Sequence, residues 1–159
     1  MSLVAATRTY RLTFVRRVLN VLVRGLILLG AAPRAMHLLT VRGRRTGEPH
    51  STPVTFVEDT EGRWLVAPYG AVGWVRNARA AGEVSLQRGR RSMTVPVMEV
   101  EGDEAARVLQ AYLRKVRVAR PYFTAAPESP VEAFAAELSQ HPVFRLSPQT
   151  PRPDERPQR

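Results

Sequence analysis

At Met36 the hydrophobic pattern of the chain changes from a helical period to a period of two, and this change constrains the fold more than any other feature. Beyond it, apolar and polar residues alternate in short stretches bounded by turn residues, which predicts strands at 37–42, 52–58, 63–67, 84–88, 92–100 and 143–146. Helical patterns are found at 74–81, 104–116 and 130–139. Because strands and helices do not alternate regularly, we predict an α+β, β-rich fold: a small antiparallel barrel or sheet with helices packed outside it.

Residues at the ends of these helices predict how each one is capped. Gly82 follows the first helix as its C-terminal cap, and Asp103 precedes the second as its N-terminal cap. Ser129 and Glu132 have the spacing of a capping box at the start of the third helix. The inward face predicted for this third helix consists of Val131, Phe134, Ala135 and Leu138. In the fifth strand Pro96 has no N–H to donate, so we expect an edge strand or a bulge there.

The length of 159 residues corresponds to one compact domain with short appendages. We assign an amphipathic basic helix to residues 1–34, the barrel domain to 35–146 and a disordered tail to 147–159, which is rich in Pro, Gln and Arg. The chain contains no cysteine, which excludes disulfides, thiolate metal sites and a cysteine nucleophile. Its three histidines are scattered without the spacing of metal ligands, so we predict no metal site.

The formal net charge of +10 is concentrated at the N-terminal end of the chain. Nine arginines and no acidic residue precede Glu48, so this part carries +9, while the remaining 15 basic and 14 acidic residues sum to +1. The asymmetry predicts an anionic surface or a phosphorylated ligand as the partner of this region. Nucleic acid is not the expected partner, because the positive charge lies on a narrow stripe without interleaved aromatic residues.

Residues 8–32 show the clearest helical periodicity of the chain. The apolar face consists of Leu12, Val15, Leu19, Leu22, Leu26 and Leu29, and arginines lie in the narrow polar stripe opposite. Three interpretations are open: the helix packs over the core or into a homodimer, it lies on an anionic membrane, or it is an export signal. It offers no apolar run long enough to cross a bilayer. We expect a cytoplasmic protein, peripheral on the inner face of the cell membrane under the second interpretation.

The loop at 43–47, Gly-Arg-Arg-Thr-Gly, joins two predicted strands and is the segment most suggestive of binding. Its glycines allow a positive φ and expose backbone N–H groups. Two guanidinium groups and a hydroxyl then converge on one small volume, which suits a phosphate or a carboxylate. The spacing matches neither a Walker loop nor a dinucleotide-binding loop. The alternative is a hairpin loop with two solvated arginines.

A second segment, Tyr69 to Ala78, combines glycines with an indole and an amide. Gly70 lets the backbone approach a ligand closely, and Trp74 and Asn77 share one helical face. An aromatic plane beside an amide suits a flat heteroaromatic ligand. The alternative is that Trp74 anchors the core and Asn77 forms a local hydrogen bond.

Other catalytic arrangements are missing from the sequence. It contains no nucleophile elbow, no zinc-protease motif and no pair of carboxylates between apolar runs. Tyr112, Tyr122 and Phe123 could line a pocket or serve as packing residues. A cofactor that brings its own reactivity would account for a binding segment without a catalytic set.

Taken together, residues 39–54, Leu-Thr-Val-Arg-Gly-Arg-Arg-Thr-Gly-Glu-Pro-His-Ser-Thr-Pro-Val, and the Trp-x-x-Asn at Trp74 and Asn77 resemble the deazaflavin (coenzyme F420)-dependent nitroreductase family. The resemblance extends from about Arg34 to Leu146. It implies a split β-barrel related to the flavin-binding barrels, with coenzyme F420 as cofactor.

The resemblance also implies roles for individual residues. The loop that holds the phosphate and acidic tail of F420 is matched by Arg44, Arg45, Thr46 and Gly47. Pro53 matches the strand position beside the deazaflavin ring, and Trp74 and Asn77 match the helix start that closes the site. We add Tyr69 and Gly70, which precede that helix, to the expected cofactor-binding residues.

The implied activity is that of an F420-dependent oxidoreductase, in which a hydride passes from the reduced deazaflavin to a flat electrophile such as a quinone, nitroaromatic or enone. Solvent or Tyr122, the candidate catalytic residue, would supply the proton. Residues 68–71, Pro-Tyr-Gly-Ala, depart from the Ser-Lys-Gly-Gly stretch of many members. Because the family includes fatty-acid binders, the alternative is a non-catalytic lipid-binding protein of the same fold at the membrane surface.

Overall fold

The computed structural model describes residues 14–148, with side chains from residue 19 onward. The helices are α1 (Phe14–Leu28), α2 (Gly73–Ala81), α3 (Gly102–Lys115) and α4 (Val131–Ala135), with a 3-10 helix at Arg117–Tyr122. The strands are β1 (Met36–Arg42), β2 (Pro49–Glu58), β3 (Arg63–Val66), β4 (Glu83–Arg88), β5 (Arg91–Val100) and β6 (Val143–Leu146). All six predicted strands are therefore present. The predicted helix start at residue 8 and the tail beyond 148 lie outside the described residues.

The six strands form a closed antiparallel barrel in the order β1-β2-β3-β6-β5-β4. Two of them, β2 and β5, are ten residues long and pair with different neighbours along their length. A strand that is shared in this way lets two small twisted sheets close on each other around a single core. The predicted β-rich α+β class, with a barrel and peripheral helices, is confirmed.

The barrel turns a corner where each long strand changes partner. β2 pairs with β1 up to Thr55 and with β3 only over Phe56–Glu58. β5 pairs with β4 as far as Pro96 and with β6 from Val97 onward, in a continuous register without a bulge. The expectation of an edge strand or a bulge at Pro96 is therefore wrong. A proline is tolerated at this position because one ladder ends there and the other begins at the next residue.

Side chains from all six strands fill the barrel, and α2 closes one of its ends. The buried interior cluster includes Leu39, Val54, Phe56, Leu65, Leu86, Val95 and Phe144, joined by Val75 and Ala78 of α2. Gly82 ends α2 with a φ of 71° and its N–H donates to the Ala78 carbonyl, as the C-terminal cap that the sequence predicts. Since α2 packs mainly against β1, it lies next to the loop that follows β1.

A second apolar cluster lies outside the barrel, where α3 covers β3 and β6. The cluster includes Trp64, Val66, Ala105, Val108, Leu109, Tyr112, Leu113 and Phe134. α3 begins at Gly102 with Glu101 as its N-cap residue, so Asp103 lies in the first helical turn and the prediction that it caps the helix is wrong. A carboxylate in that turn still stabilises the helix through the macrodipole.

The helix predicted at 130–139 is also shorter than its pattern indicates. α4 ends at Ala135, and Pro130 is its N-cap residue. The Ser129 hydroxyl accepts a hydrogen bond from the Ala126 N–H at 3.0 Å, so it stabilises the preceding turn and forms no capping box. Ala135, which was predicted to face inward, is exposed, and Glu137, which was not part of the predicted inward face, is buried. The reason is that the chain leaves the helical path to bring the Glu137 carboxylate under the segment before α4.

α1 packs on the outside of the barrel through a face different from the predicted one. Ile27 is fully buried and packs with Ala32 and Leu38, while the Leu19–Leu22–Leu26–Leu29 stripe is exposed. The guanidinium of Arg88 donates to the carbonyls of the residues after the helix, which ties its C-terminal end to β4. No helix within residues 14–148 is long and apolar enough to cross a membrane.

Candidate functional site

The loop between β1 and β2 is a tight, internally hydrogen-bonded turn. The Gly43 N–H donates to the Glu48 carbonyl at 2.8 Å, and the Gly47 N–H donates to the Gly43 carbonyl at 2.8 Å. Gly47 has a φ of 73°, a conformation that disfavours any residue with a Cβ. The Thr46 hydroxyl accepts the Glu48 N–H at 3.3 Å. The loop is therefore ordered by its own backbone, and its arginine side chains are not needed to close it.

Asn77 of α2 holds this loop, so the Trp-x-x-Asn helix start contacts the Gly-Arg-Arg-Thr-Gly loop at 43–47. Its Oδ1 atom accepts the backbone N–H of Arg44 at 3.2 Å and the Nη1 of the same residue at 3.1 Å. Asn77 is only 5% exposed, so its side-chain carbonyl is a fixed hydrogen-bond acceptor. The resemblance places Asn77 at the helix start that closes the cofactor site, and the two bonds hold this helix start against the loop.

The second arginine of the loop is left available. The Arg45 side chain is exposed and forms no hydrogen bond or ion pair with any residue that the structure describes. Arg44 keeps further guanidinium donors beyond the one directed to Asn77. The loop therefore presents one free and one partly used guanidinium group to solvent at the end of the barrel that α2 closes.

Trp74 lies at the start of α2 but turns into the barrel. Its ring packs on Phe144 with centroids 5.7 Å apart and belongs to the edge of the interior cluster. This position agrees with the alternative that Trp74 anchors the core. The packing of Trp74 on Phe144 fixes the start of α2 to the barrel.

Along the first half of β2 the barrel is open on one side. Residues 49–55 are paired with β1 alone, because the ladder with β3 begins only at Phe56. The side chain of Pro53 is on the outer face, since Val54 and Phe56 fill the interior. From Pro49 to Pro53 the strand extends about 13 Å at roughly 3.3 Å per residue, so an elongated ligand could contact both the arginine loop and Pro53.

The segment after β3 continues beyond the last β2–β3 pair and carries Tyr69 and Gly70. The Ala67 N–H donates to the Pro142 carbonyl at 2.9 Å, and the chain then turns at Gly70 with a φ of 86°. Tyr69 meets Tyr122 edge to face, with ring centroids 4.7 Å apart. The structure thus brings together two of the aromatic residues that the sequence singled out from distant segments.

Tyr112 of α3 belongs to the same aromatic group but is buried. Burial raises the pKa of its phenol well above the ordinary value of 10, and the nearby Tyr69 phenol adds to the shift. Tyr112 therefore stays a neutral hydroxyl at physiological pH. Its role is packing, which leaves Tyr69 and Tyr122 as the partly exposed phenols of the group.

Two buried residues near these tyrosines, Glu137 and His141, were not predicted from the sequence. The Glu137 carboxylate accepts the N–H of Thr124 at 2.9 Å and that of Ala125 at 2.5 Å. His141 Nε2 lies 3.3 Å from Oε2 of Glu137, at an angle that makes no hydrogen bond, and burial lowers the pKa of the imidazole. The only sequence signal for Glu137 was a polar residue within the helical pattern at 130–139. Such a residue is equally typical of an exposed position.

Among residues 14–148 no group of acidic residues or histidines is placed to hold a metal ion. The described geometry offers instead a cationic loop, an open strand edge and an aromatic pair, carried by a split antiparallel barrel. The fold, a six-stranded antiparallel barrel with peripheral helices, is of the flavin-binding-barrel class.

The sequence comparison identifies the family within this class. The profile of the F420H(2)-dependent quinone reductases matches residues 14–125, and the chain belongs to this family. The recognition of an F420-dependent family from the sequence is thereby confirmed, and coenzyme F420 is the cofactor that membership implies. Among the curated proteins none matches the chain.

Two of the following solved structures, those with TM-scores above 0.5, show the same fold at low sequence identity. A protein described as a domain-swapped dimer is 22% identical, with a TM-score of 0.54 over 84% of this chain and 93% of that one. The heme storage protein HutZ from Vibrio cholerae is 16% identical, with a TM-score of 0.52 over 74% and 83%. An F420-H2-dependent reductase is 23% identical, with a TM-score of 0.48 over 72% and 95%.

Proposed function

We propose that the protein reduces a quinone with the hydride of reduced coenzyme F420, bound along the opening beside β2. The observation that carries the proposal is the contact of Asn77 with Arg44, which fixes the ordered loop to α2, while Arg45 has no partner among the described residues. A cationic loop that is already ordered can bind a phosphorylated, acidic tail without losing further conformational entropy.

The residues along the opening fit the rest of such a cofactor. The unpaired side of β2 offers backbone groups to a flat heterocycle, and Pro53 provides an apolar surface about 13 Å from the loop, at roughly 3.3 Å per residue. On the other side, the turn at Gly70 lets the backbone approach the ring closely. Tyr69 and Tyr122 would close the pocket over the ring and the acceptor.

When bound, reduced F420 supplies the hydride, so the protein needs to position the two flat reactants and to deliver a proton. Addition of a hydride to a quinone gives the hydroquinone anion, and a single proton then completes the hydroquinone. The Tyr122 phenol is our candidate for the proton donor, with solvent as the alternative. Nitroaromatic compounds and enones are further acceptors that the same open, flat site would admit.

The test is a titration of the purified protein with F420, followed by the fluorescence of the cofactor, and then the reoxidation of reduced F420 by menadione. We expect saturable binding and menadione-dependent turnover. Absence of binding up to high micromolar concentrations would overturn the proposal. Native mass spectrometry of the purified protein separates the alternative function, because a lipid-binding protein would carry a fatty acid and show no affinity for F420.

We further propose that α1 attaches the protein to an anionic membrane surface, because its outward face is apolar and the sequence before Glu48 is strongly cationic. Five side chains on this face are 48–81% exposed: Leu19, Val21, Leu22, Leu26 and Leu29. Arg24 on the same helix is exposed, and no acidic residue precedes Glu48 in the sequence. Each arginine near an anionic leaflet contributes about 1 kcal/mol, and the attraction decays within a Debye length.

We expect the full-length protein to co-sediment with phosphatidylglycerol vesicles at low salt and to be released at high salt. Leu22→Ser combined with Leu29→Ser should abolish sedimentation at unchanged thermal stability, since neither side chain is packed on the barrel. A protein that ignores the vesicles and instead forms a dimer that the double variant dissociates would show that a second copy covers this face.

A further inference from the structure

The buried pair Glu137 and His141 lies beneath both segments that carry the exposed tyrosines of the proposed site. One segment begins with Tyr122, the last residue of the 3-10 helix, and continues through Phe123, and the other follows β3 and contains Tyr69. The segment from 137 to 142 contacts both of them. It therefore links two parts of the site that are far apart in the sequence.

On the Tyr122 side the link consists of two charge-assisted hydrogen bonds and a ring stack. Each carboxylate oxygen of Glu137 accepts one backbone N–H, from Thr124 at 2.9 Å and from Ala125 at 2.5 Å. The Phe123 ring stacks on the imidazole of His141, with centroids 3.8 Å apart and an interplanar angle of 14°. Three consecutive residues after Tyr122 are thus held by two buried side chains.

On the Tyr69 side the link consists of backbone contacts. The Pro142 carbonyl accepts the Ala67 N–H at 2.9 Å. At Gly70 a Cβ would come within 3.4 Å of the Gln140 carbonyl, so this turn packs directly against the segment. The edge-to-face contact of Tyr69 with Tyr122 then joins the two supported segments on the open side.

Such a buried carboxylate is costly unless it has fixed partners. Glu137 is 5% exposed, and the neighbouring imidazole of His141 makes no hydrogen bond with it. Its partners are therefore the two backbone N–H groups, and if either bond is lost the charge remains buried with one oxygen unsatisfied. This cost keeps the Tyr122 segment in one conformation.

We propose that Glu137 is a positioning residue of the reductase, which holds the Tyr122 phenol against Tyr69 so that it faces the acceptor. The proposal rests on the proposed function, because it assigns Tyr122 to the acceptor side of the F420 site. Glu137 acts through the backbone of Thr124 and Ala125 and does not itself touch the reactants.

The test compares Glu137→Gln with Glu132→Gln, a matched control on the exposed side of α4. The glutamine at 137 keeps the shape of the side chain, but its NH₂ group cannot accept a hydrogen bond. We expect faster hydrogen exchange at the Thr124 and Ala125 amides and a kcat/KM for menadione reduced about tenfold, with the Kd for F420 unchanged. Glu132→Gln should behave like the wild type in all three measurements.

A merely structural role is separated by repeating the substitution in a Tyr122→Phe background. If Glu137 acts through the phenol, Glu137→Gln has little further effect on kcat/KM there. An equal loss in both backgrounds, or a wild-type rate in Glu137→Gln, overturns the proposal. If Glu137→Gln does not fold, it is replaced by Phe123→Leu, which removes the ring stack on His141. We then expect the same faster exchange at the Thr124 and Ala125 amides and the same loss of kcat/KM, with the Kd for F420 unchanged.

Failure of the proposed function is distinguishable from failure of this inference. A wild-type protein that does not bind F420 overturns the function. The hydrogen exchange of Thr124 and Ala125 needs no cofactor and still reports whether Glu137 orders the segment after Tyr122.

Discussion

Replacement of Arg45 by alanine is expected to weaken F420 binding by about one to two orders of magnitude without lowering thermal stability. A charge-assisted hydrogen bond contributes roughly 1.5–3 kcal/mol, which converts to that range of affinity. Stability should not change, because the Arg45 side chain is exposed and has no partner among the described residues. Fluorescence titration gives the Kd, and thermal unfolding gives the stability.

The matched control is Arg90→Ala, which removes an exposed arginine from the turn between β4 and β5. That turn lies at the end of the barrel opposite to the arginine loop, so the Kd for F420 should not change. We also expect the effect of Arg45→Ala to shrink at high salt, since the site is open to solvent. An unchanged Kd in Arg45→Ala, in Arg44→Ala and in the double variant would show that this loop does not bind the cofactor.

Asn77→Ala is expected to affect both stability and binding. The substitution removes the buried acceptor of two Arg44 donors, so the free energy of unfolding should fall by about 1–3 kcal/mol. The loop would then lose its fixed position on α2, and we expect the Kd for F420 to rise about tenfold, as for the loss of one charge-assisted bond. Urea denaturation and fluorescence titration measure the two effects.

Asn77→Asp is the informative companion variant, because aspartate keeps an oxygen acceptor facing Arg44. It should bind F420 nearly as well as the wild type. In a double-mutant cycle with Arg44→Ala, the effects of Asn77→Ala on binding should be non-additive by about 0.5–3 kcal/mol. Additive effects would mean that Asn77 and Arg44 act independently, contrary to the bonds between them.

Local sequence patterns predicted much of the fold because they depend on near neighbours. The period of two located all six strands, and Gly82 marked the end of α2, since a left-handed cap favours a residue without a Cβ. The errors are at Asp103, where the helix begins one residue earlier, at Ser129, whose hydroxyl accepts the Ala126 N–H, and at Pro96, where β5 changes its partner. A capping pattern shows only that a side chain could form a bond.

The N-terminal helix is a second case in which the local pattern predicted the element but not its tertiary contact. Its periodicity established a helix and an apolar face, and α1 is present in the described part of that segment. The side of the helix that packs on the barrel is set by Ile27, which fits against Leu38 and Ala32. Amphipathicity alone could not select this contact, because nearly all sides of the helix are apolar.

For the site, the residue types could be read from the sequence: an arginine loop between two strands, a Trp-x-x-Asn helix start and a set of tyrosines. Which of them meet depends on the folded chain. It joined Arg44 to Asn77, turned Trp74 into the core and brought Tyr69 against Tyr122. It also revealed Glu137, whose importance depends on burial and on two backbone donors in another segment. Contacts between distant segments arise from barrel closure and helix packing, which no local pattern encodes.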